Sequence, residues 1–143
     1  MRFLLIPAPP SSDAKVEAEA PFDEKLFTAY MKYNEEMHKA GVLVASEGLN
    51  PNAKSAHVKL SREKRTVVDG PFAETKELIA GFWLIDVKSR EEAIEWALRC
   101  PKGPGGDEVL EIRPLTGAND LPLRLRELIA EAAPTWSAAF SKS

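Results

Sequence analysis

Apolar residues fall along this chain in short blocks and periodic stripes, and these two patterns assign most of it to strands and helices. Phe3 to Ile6 is an uninterrupted apolar run, as expected of a strand covered on both faces. Pro7 to Pro21 is rich in proline, alanine and charge without helical or alternating periodicity, which predicts a surface loop. Asp23 is placed to cap a helix, with Glu24 in the positive first turn and Phe22 packed on Phe27 as a hydrophobic staple. Leu26, Ala29, Tyr30, Tyr33, Met37 and Ala40 recur at three- and four-residue spacing. That stripe predicts a helix over 24–40, closed by Gly41 in a left-handed conformation. Val42 to Ala45 reads as a second apolar strand, broken by Gly48, Asn50, Pro51 and Asn52.

A hairpin is expected next. Ala56, Val58 and Leu60 alternate with His57 and Lys59, and Ser61 to Lys64 turns the chain into Thr66, Val67 and Val68. Gly81 to Val87 is the strongest strand, with Trp83, Ile85 and Val87 on one face and Phe82 and Leu84 on the other. Ser89 and Glu92 have capping-box spacing ahead of a helix whose stripe is Ala93, Ile94, Ala97 and Leu98, ending before Pro101. Residues 102–108 form a loop, and Val109 to Arg113 is the last core strand, with Leu110 and Ile112 inward. Asp120 is then expected to cap a short amphipathic helix carrying Leu121, Leu125, Leu128 and Ile129, stopped by Pro134.

Strand, helix, strand, hairpin, strand, helix, strand is the split order of an antiparallel ferredoxin-like βαββαβ fold of the α+β class, with a β-hairpin inserted. Two helices cover one face of such a sheet, yet Phe3 to Ile6, Val42 to Ala45 and Phe82 to Ile85 are apolar on both sides. A homodimer with sheets packed face to face is the simplest cover, and the C-terminal helix is its competitor. Such an interface would bury on the order of 800 Å² per partner, at roughly 25 cal/mol per Å² of apolar area before entropy is deducted.

Composition narrows the function classes. At 143 residues, 44% hydrophobic and 29% charged, the chain has the size and balance of one globular domain. A net charge of -3 offers no broad electrostatic reason to bind nucleic acid or an anionic membrane. Arg62, Lys64 and Arg65 are interrupted by Glu63 and read as a solvated turn. The N-terminal apolar run is too short for a signal-peptide core, and no stretch approaches the roughly 20 apolar residues of a membrane span. Cys100 is the sole cysteine, so no internal disulfide forms and a soluble, cytoplasmic protein is expected. His38 and His57 lack metal-ligand spacing, and nucleophile elbow, phosphate loop and dinucleotide fingerprint are all missing. The expectation is therefore neither metal nor cofactor.

DGPFAETKELIAGFWLIDV, Asp69 to Val87, resembles the signature of the DGPF branch of the YCII-related family. Tyr33 to Pro51 and EEAIEWALRCP in the second helix are similar to the same branch, and the likeness spans roughly residues 1–115. A domain over 1–115 followed by a helical extension over 116–143 is the resulting division. The resemblance implies a ferredoxin-like fold that pairs into a dimeric α+β barrel. It also implies, for the wider superfamily, a His–Asp pair in a cleft with the histidine on the first helix. Counting back from Gly41 puts Tyr30 at the position of that histidine, and no aspartate of this chain is matched to its partner. An ordinary tyrosine, with a pKa near 10 against about 6.5 for histidine, is no substitute as a neutral-pH base.

Asp69-Gly70-Pro71-Phe72 serves either as a tight turn with Phe72 plugging the core or as a site. In the second reading Asp69, at a strand end, is a general base or holds a polar ligand, with Glu74 and Lys76 tuning it or orienting a substrate. Glu47 follows an apolar strand and precedes Gly48, where the end of the sheet brings it to the same cleft as a catalytic partner or leaves it in an exposed loop. Tyr33 lies on the inward stripe of the first helix and Asn34 at its margin, suited to packing or to a hydrogen bond with a ligand. Two functions result from these residues: a small-molecule binding or regulatory module, or a cofactor-free enzyme moving protons on a small polar organic molecule.

Overall fold

The computed structural model describes residues 1–7, 23–50, 55–70 and 80–142. β1 (Arg2–Pro7) leads into α1 (Glu24–Lys39), and β2 (Leu43–Gly48) follows. A hairpin of β3 (Ala56–Leu60) and β4 (Arg65–Asp69) precedes β5 (Gly81–Asp86), α2 (Arg90–Leu98) and β6 (Leu110–Pro114). α3 (Leu123–Ala132) and α4 (Pro134–Phe140) end the described chain.

Four strands form one antiparallel sheet in the order β2-β5-β1-β6, and β3 with β4 makes a separate two-stranded sheet. β5 sits antiparallel between β1 and β2, and β1 sits likewise between β5 and β6. This interleaving of two βαβ units is the ferredoxin-like α+β arrangement. The sheet is open, with β2 and β6 at its edges, so within one chain there is no closed barrel.

Local chemistry sets the helix ends. The Asp23 carboxylate accepts the Leu26 amide at 3.0 Å, and Gly41 takes φ 74° just past α1, the left-handed position that favours glycine. Ser89 accepts the Glu92 amide at 3.1 Å, while the Glu92 carboxylate turns back to the Lys88 amide at 2.9 Å. The proposed partner of Phe27 in a staple, Phe22, lies outside the described residues.

One core forms between the sheet and the helices. Phe3, Leu5, Trp83, Ile85 and Val87 meet Tyr33 and Met37 of α1 and Ala93 and Trp96 of α2. Leu5, Met37, Ile85 and Ala93 are fully enclosed. On the opposite face the register aligns Leu4 with Leu84, Ala45 with Leu84, and Glu47 with Phe82. Leu4, Phe82 and Leu84 there remain half-buried.

Several sequence expectations need correction. Leu98 is 80% exposed, and Trp96 takes the inward place in α2 beside Ala93. Five residues of α-helix leave Leu98 about 140° round from Ala93, while Trp96 and Ala97 lie within about 60° of it, and the sheet packs on their side. β2 runs on to Gly48 rather than ending at Ala45, with a bulge between Leu43 and Ala45 that leaves Val44 unpaired and exposed. Asp120 does not cap α3. It ends a 3-10 turn over Ala118–Asp120 and accepts the Gly117 amide at 2.7 Å, while Pro122 stands ahead of α3. Pro134 starts α4 instead of only stopping α3, since proline lacks an amide that the first helical turn leaves unbonded. The inward helix stripe expected of this segment is exposed at Leu125 and Leu128, and Leu121 and Ile129 are only half-buried.

Candidate functional site

Tyr30 and, one turn later, the adjacent Tyr33 and Asn34 of α1 all converge on Trp83 of β5. Tyr33 is a core residue. Its hydroxyl donates to the Trp96 carbonyl at 2.7 Å, and its ring meets Trp83 edge-on with centroids 5.4 Å apart. Burial, with a smaller push from Cys100, holds the phenol far above the usual tyrosine range, so it stays protonated and works as a donor.

Asn34 is a junction between three elements. Its Oδ1 accepts the Trp83 indole N–H at 2.7 Å and the Ser46 hydroxyl at 3.2 Å. Both bonds use the oxygen, which orients the amide and makes its NH2 the group with donors to offer. Tyr30 lies one turn earlier, its ring tilted against Trp83 with centroids 5.8 Å apart. Its pKa is raised, first by burial and then by Cys100 and Glu108. Cys100 itself is pushed up to about 11, again by burial first and then by Glu108.

The loop after α2 borders this seam. Glu108 accepts the Gly103 amide at 3.1 Å, folding residues 103–108 back on themselves. Gly103 is buried, and a Cβ there would stand 2.8 Å from Glu108 Oε1 and 3.4 Å from Leu26 Cδ2, so this loop packs directly against α1. Arg99 anchors the same end of α2, stacking over Trp96 at 4.2 Å while its guanidinium donates to Glu36 of α1 at 2.5 Å. The result is a half-buried, aromatic and amide-lined seam along one margin of α1, with the Glu108 carboxylate at its border. It can hold a polar molecule by hydrogen bonds and ring contact, and at neutral pH its Tyr30 and Cys100 remain protonated.

The carboxylates expected to converge are placed on different sheets. Glu47 lies inside β2, is exposed, and pairs with Phe82 on the face away from the helices. Asp69 is the last residue of β4, exposed and opposite Ala56. Among the described residues no hydrogen bond or ion pair joins the two. Glu74 and Lys76, together with Pro71 and Phe72, lie outside the described residues. No group of three or more His, Cys, Asp or Glu side chains among the described residues is arranged for a metal ion.

Periodicity placed Trp83 in the core, but it did not single out Ser46 or Glu108. A polar serine continuing an apolar strand, directly opposite a tryptophan whose indole needs an acceptor, is the signal that points to Ser46.

No described helix is long and apolar enough to cross a membrane. A YCII-related domain matches residues 2–116. An uncharacterized protein of Rhizobium meliloti (strain 1021) is 34% identical over 93 residues, a stretch covering 65% of this chain and 75% of that relative. The family match covers the interleaved sheet and the helices that carry the seam, and the chain belongs to the YCII-related family.

Proposed function

We propose that this YCII-related protein is a small-molecule-binding module whose ligand lies along the seam of Tyr30, Asn34 and Ser46, with Trp83 beneath. The observation that carries this reading is the Asn34 amide, locked through its oxygen by Trp83 and Ser46 so that its NH2 is held in one orientation before any ligand arrives. A small polar organic molecule with an acceptor for that amide and a flat or apolar body against Tyr30 suits the seam. The proposed setting is the cytoplasm, with two copies paired through the half-buried face of Leu4, Phe82 and Leu84, and with Glu47 at the border of that face. Glu74 and Lys76 remain proposed ligand contacts, and Asp69 with Glu47 the proposed base and partner should the module also catalyse proton transfer.

A metabolite screen by thermal shift, with each hit followed by calorimetry and by a turnover assay, tests this. Hits that bind wild type, fail on Asn34→Asp and return unchanged support the module. Asn34→Asp keeps acceptors for Trp83 and Ser46 but loses the donors. Hits consumed with time, and no longer consumed by Asp69→Asn, establish the proton-transfer enzyme instead. Hits whose affinity is untouched by Asn34→Asp remove the seam from consideration.

A further inference from the structure

The β3–β4 hairpin has a self-complementary face, and we infer that it packs against the same face of a second copy of this chain. Cross-strand partners point to one side of a sheet, so the register places Ala56, Val58, Leu60, Arg65, Val67 and Asp69 together. His57, Lys59, Thr66 and Val68 occupy the other side. Every residue of both strands is exposed, with Val58 at 57%, Leu60 at 67% and Val67 at 64%. Among the described residues the hairpin is a separate two-stranded ribbon; a ribbon showing aliphatic side chains on one face is marginal in water, and a covering surface stabilises it.

The occupant follows from how the six residues are arranged. An isologous contact about a two-fold axis crossing the strands at the central Val58–Val67 pair lays β3 on β3 and β4 on β4 with their ends exchanged. Val58 then meets Val58, and Val67 meets Val67. Small Ala56 meets large Leu60, and Asp69 of each copy meets Arg65 of the other. Size and charge therefore match at every position, which an unrelated partner has no reason to reproduce.

The face measures about 17 Å by 10 Å, from five residues at roughly 3.4 Å and two strands about 5 Å apart. That is small against the roughly 800 Å² per partner of a stable interface, so most of the strength rests on the sheet-face pairing proposed above. The hairpin contact fixes orientation between copies already held together.

Cysteine trapping reads this contact separately from that pairing. Val58→Cys is expected to give a covalent dimer with a short bis-maleimide, above the background set by Cys100 in wild type, because facing sheets about 10 Å apart hold the two sulfurs beyond direct disulfide reach. Lys59→Cys, on the opposite side of the same strand, stays at background. Asp69→Arg added to Val58→Cys removes the excess by opposing two arginines, and Arg65→Asp with Asp69→Arg restores it. Trapping at Lys59 equal to that at Val58, or a yield from Val58→Cys no greater than wild type, overturns the inference. Sedimentation of Leu84→Lys reports on the sheet pairing alone: a mass equal to wild type overturns that pairing and leaves the trapping result to stand on its own.

Discussion

Trp83 and Asn34 are tied by a 2.7 Å hydrogen bond from indole Nε1 to Oδ1, a polar stitch between the central strand β5 and the margin of α1. The same oxygen takes the Ser46 hydroxyl, so one side chain serves two donors on neighbouring strands. Asn34→Ala strands both donors, and a loss of about 1–3 kcal/mol is expected by urea denaturation. Asn34→Asp, which retains the acceptor, is expected to lose less.

Tyr33→Phe isolates a different bond. The edge-on ring contact with Trp83 survives, but the Trp96 carbonyl loses its buried 2.7 Å donor. That carbonyl keeps the Arg99 amide at 3.1 Å, so the expected cost is about 0.5–1.5 kcal/mol, with the near-ultraviolet spectrum of the tryptophans largely preserved.

Cys100 carries a pH signature. Its thiol is raised from an ordinary value of 9.0 to about 11, chiefly by burial. The folded state thus holds the proton across a window in which the unfolded chain has released it. Stability from this group is intact below pH 9.0, declines as pH rises, and is gone beyond about 11. Comparing urea midpoints of wild type and Cys100→Ser across that window is expected to show a steeper decline in wild type. Alkylation of the folded protein is expected to be slow at pH 8 and to accelerate toward pH 11, because the thiolate is the nucleophile.

Gly81→Ala tests the joint between β2 and β5. A Cβ there would lie 2.5 Å from the Glu47 carbonyl oxygen and 3.1 Å from Gly48 Cα, both backbone atoms. Destabilisation of about 1–3 kcal/mol is expected, with amide exchange accelerated in β2 before β1.

Leu98 and Trp96 make a paired test of α2. Leu98→Lys, at a position 80% exposed, is expected to change stability by less than about 0.5 kcal/mol. Trp96→Ala is expected to cost about 3–5 kcal/mol, since it empties a buried site and removes the ring beneath Arg99.

That contrast also marks where the sequence was readable. Alternation in β5 placed Trp83, Ile85 and Val87 inward because a strand has period two and its neighbours on both sides are fixed. α1 was equally plain, with sixteen residues, a capping aspartate and a terminating glycine agreeing. α2 has nine residues, so a short stripe could be drawn through Leu98 as easily as through Trp96, and only the sheet decides between them. The seam was half visible. Tyr33 and Asn34 stood out by their position on the helix, whereas Ser46 and Glu108 join them through contacts between segments far apart in the chain. Glu47 was read at a strand end because the apolar run stops at Ala45, whereas pairing continues to Gly48 and the register shift after Leu43 sets Glu47 opposite Phe82.

The bulge at Val44 reaches further than its own strand. β2 forms one border of the sheet, and an unpaired residue there breaks the even row of amides and carbonyls that an incoming strand would need. The other border, β6, ends in Pro114 and alternates Glu111 and Arg113 outward, which discourages the same lateral growth. Both rims are blunted, while on the face away from the helices Leu4, Phe82 and Leu84 stay half-buried. Lateral ribbon extension, which would run on into fibres, is thereby discouraged at either border.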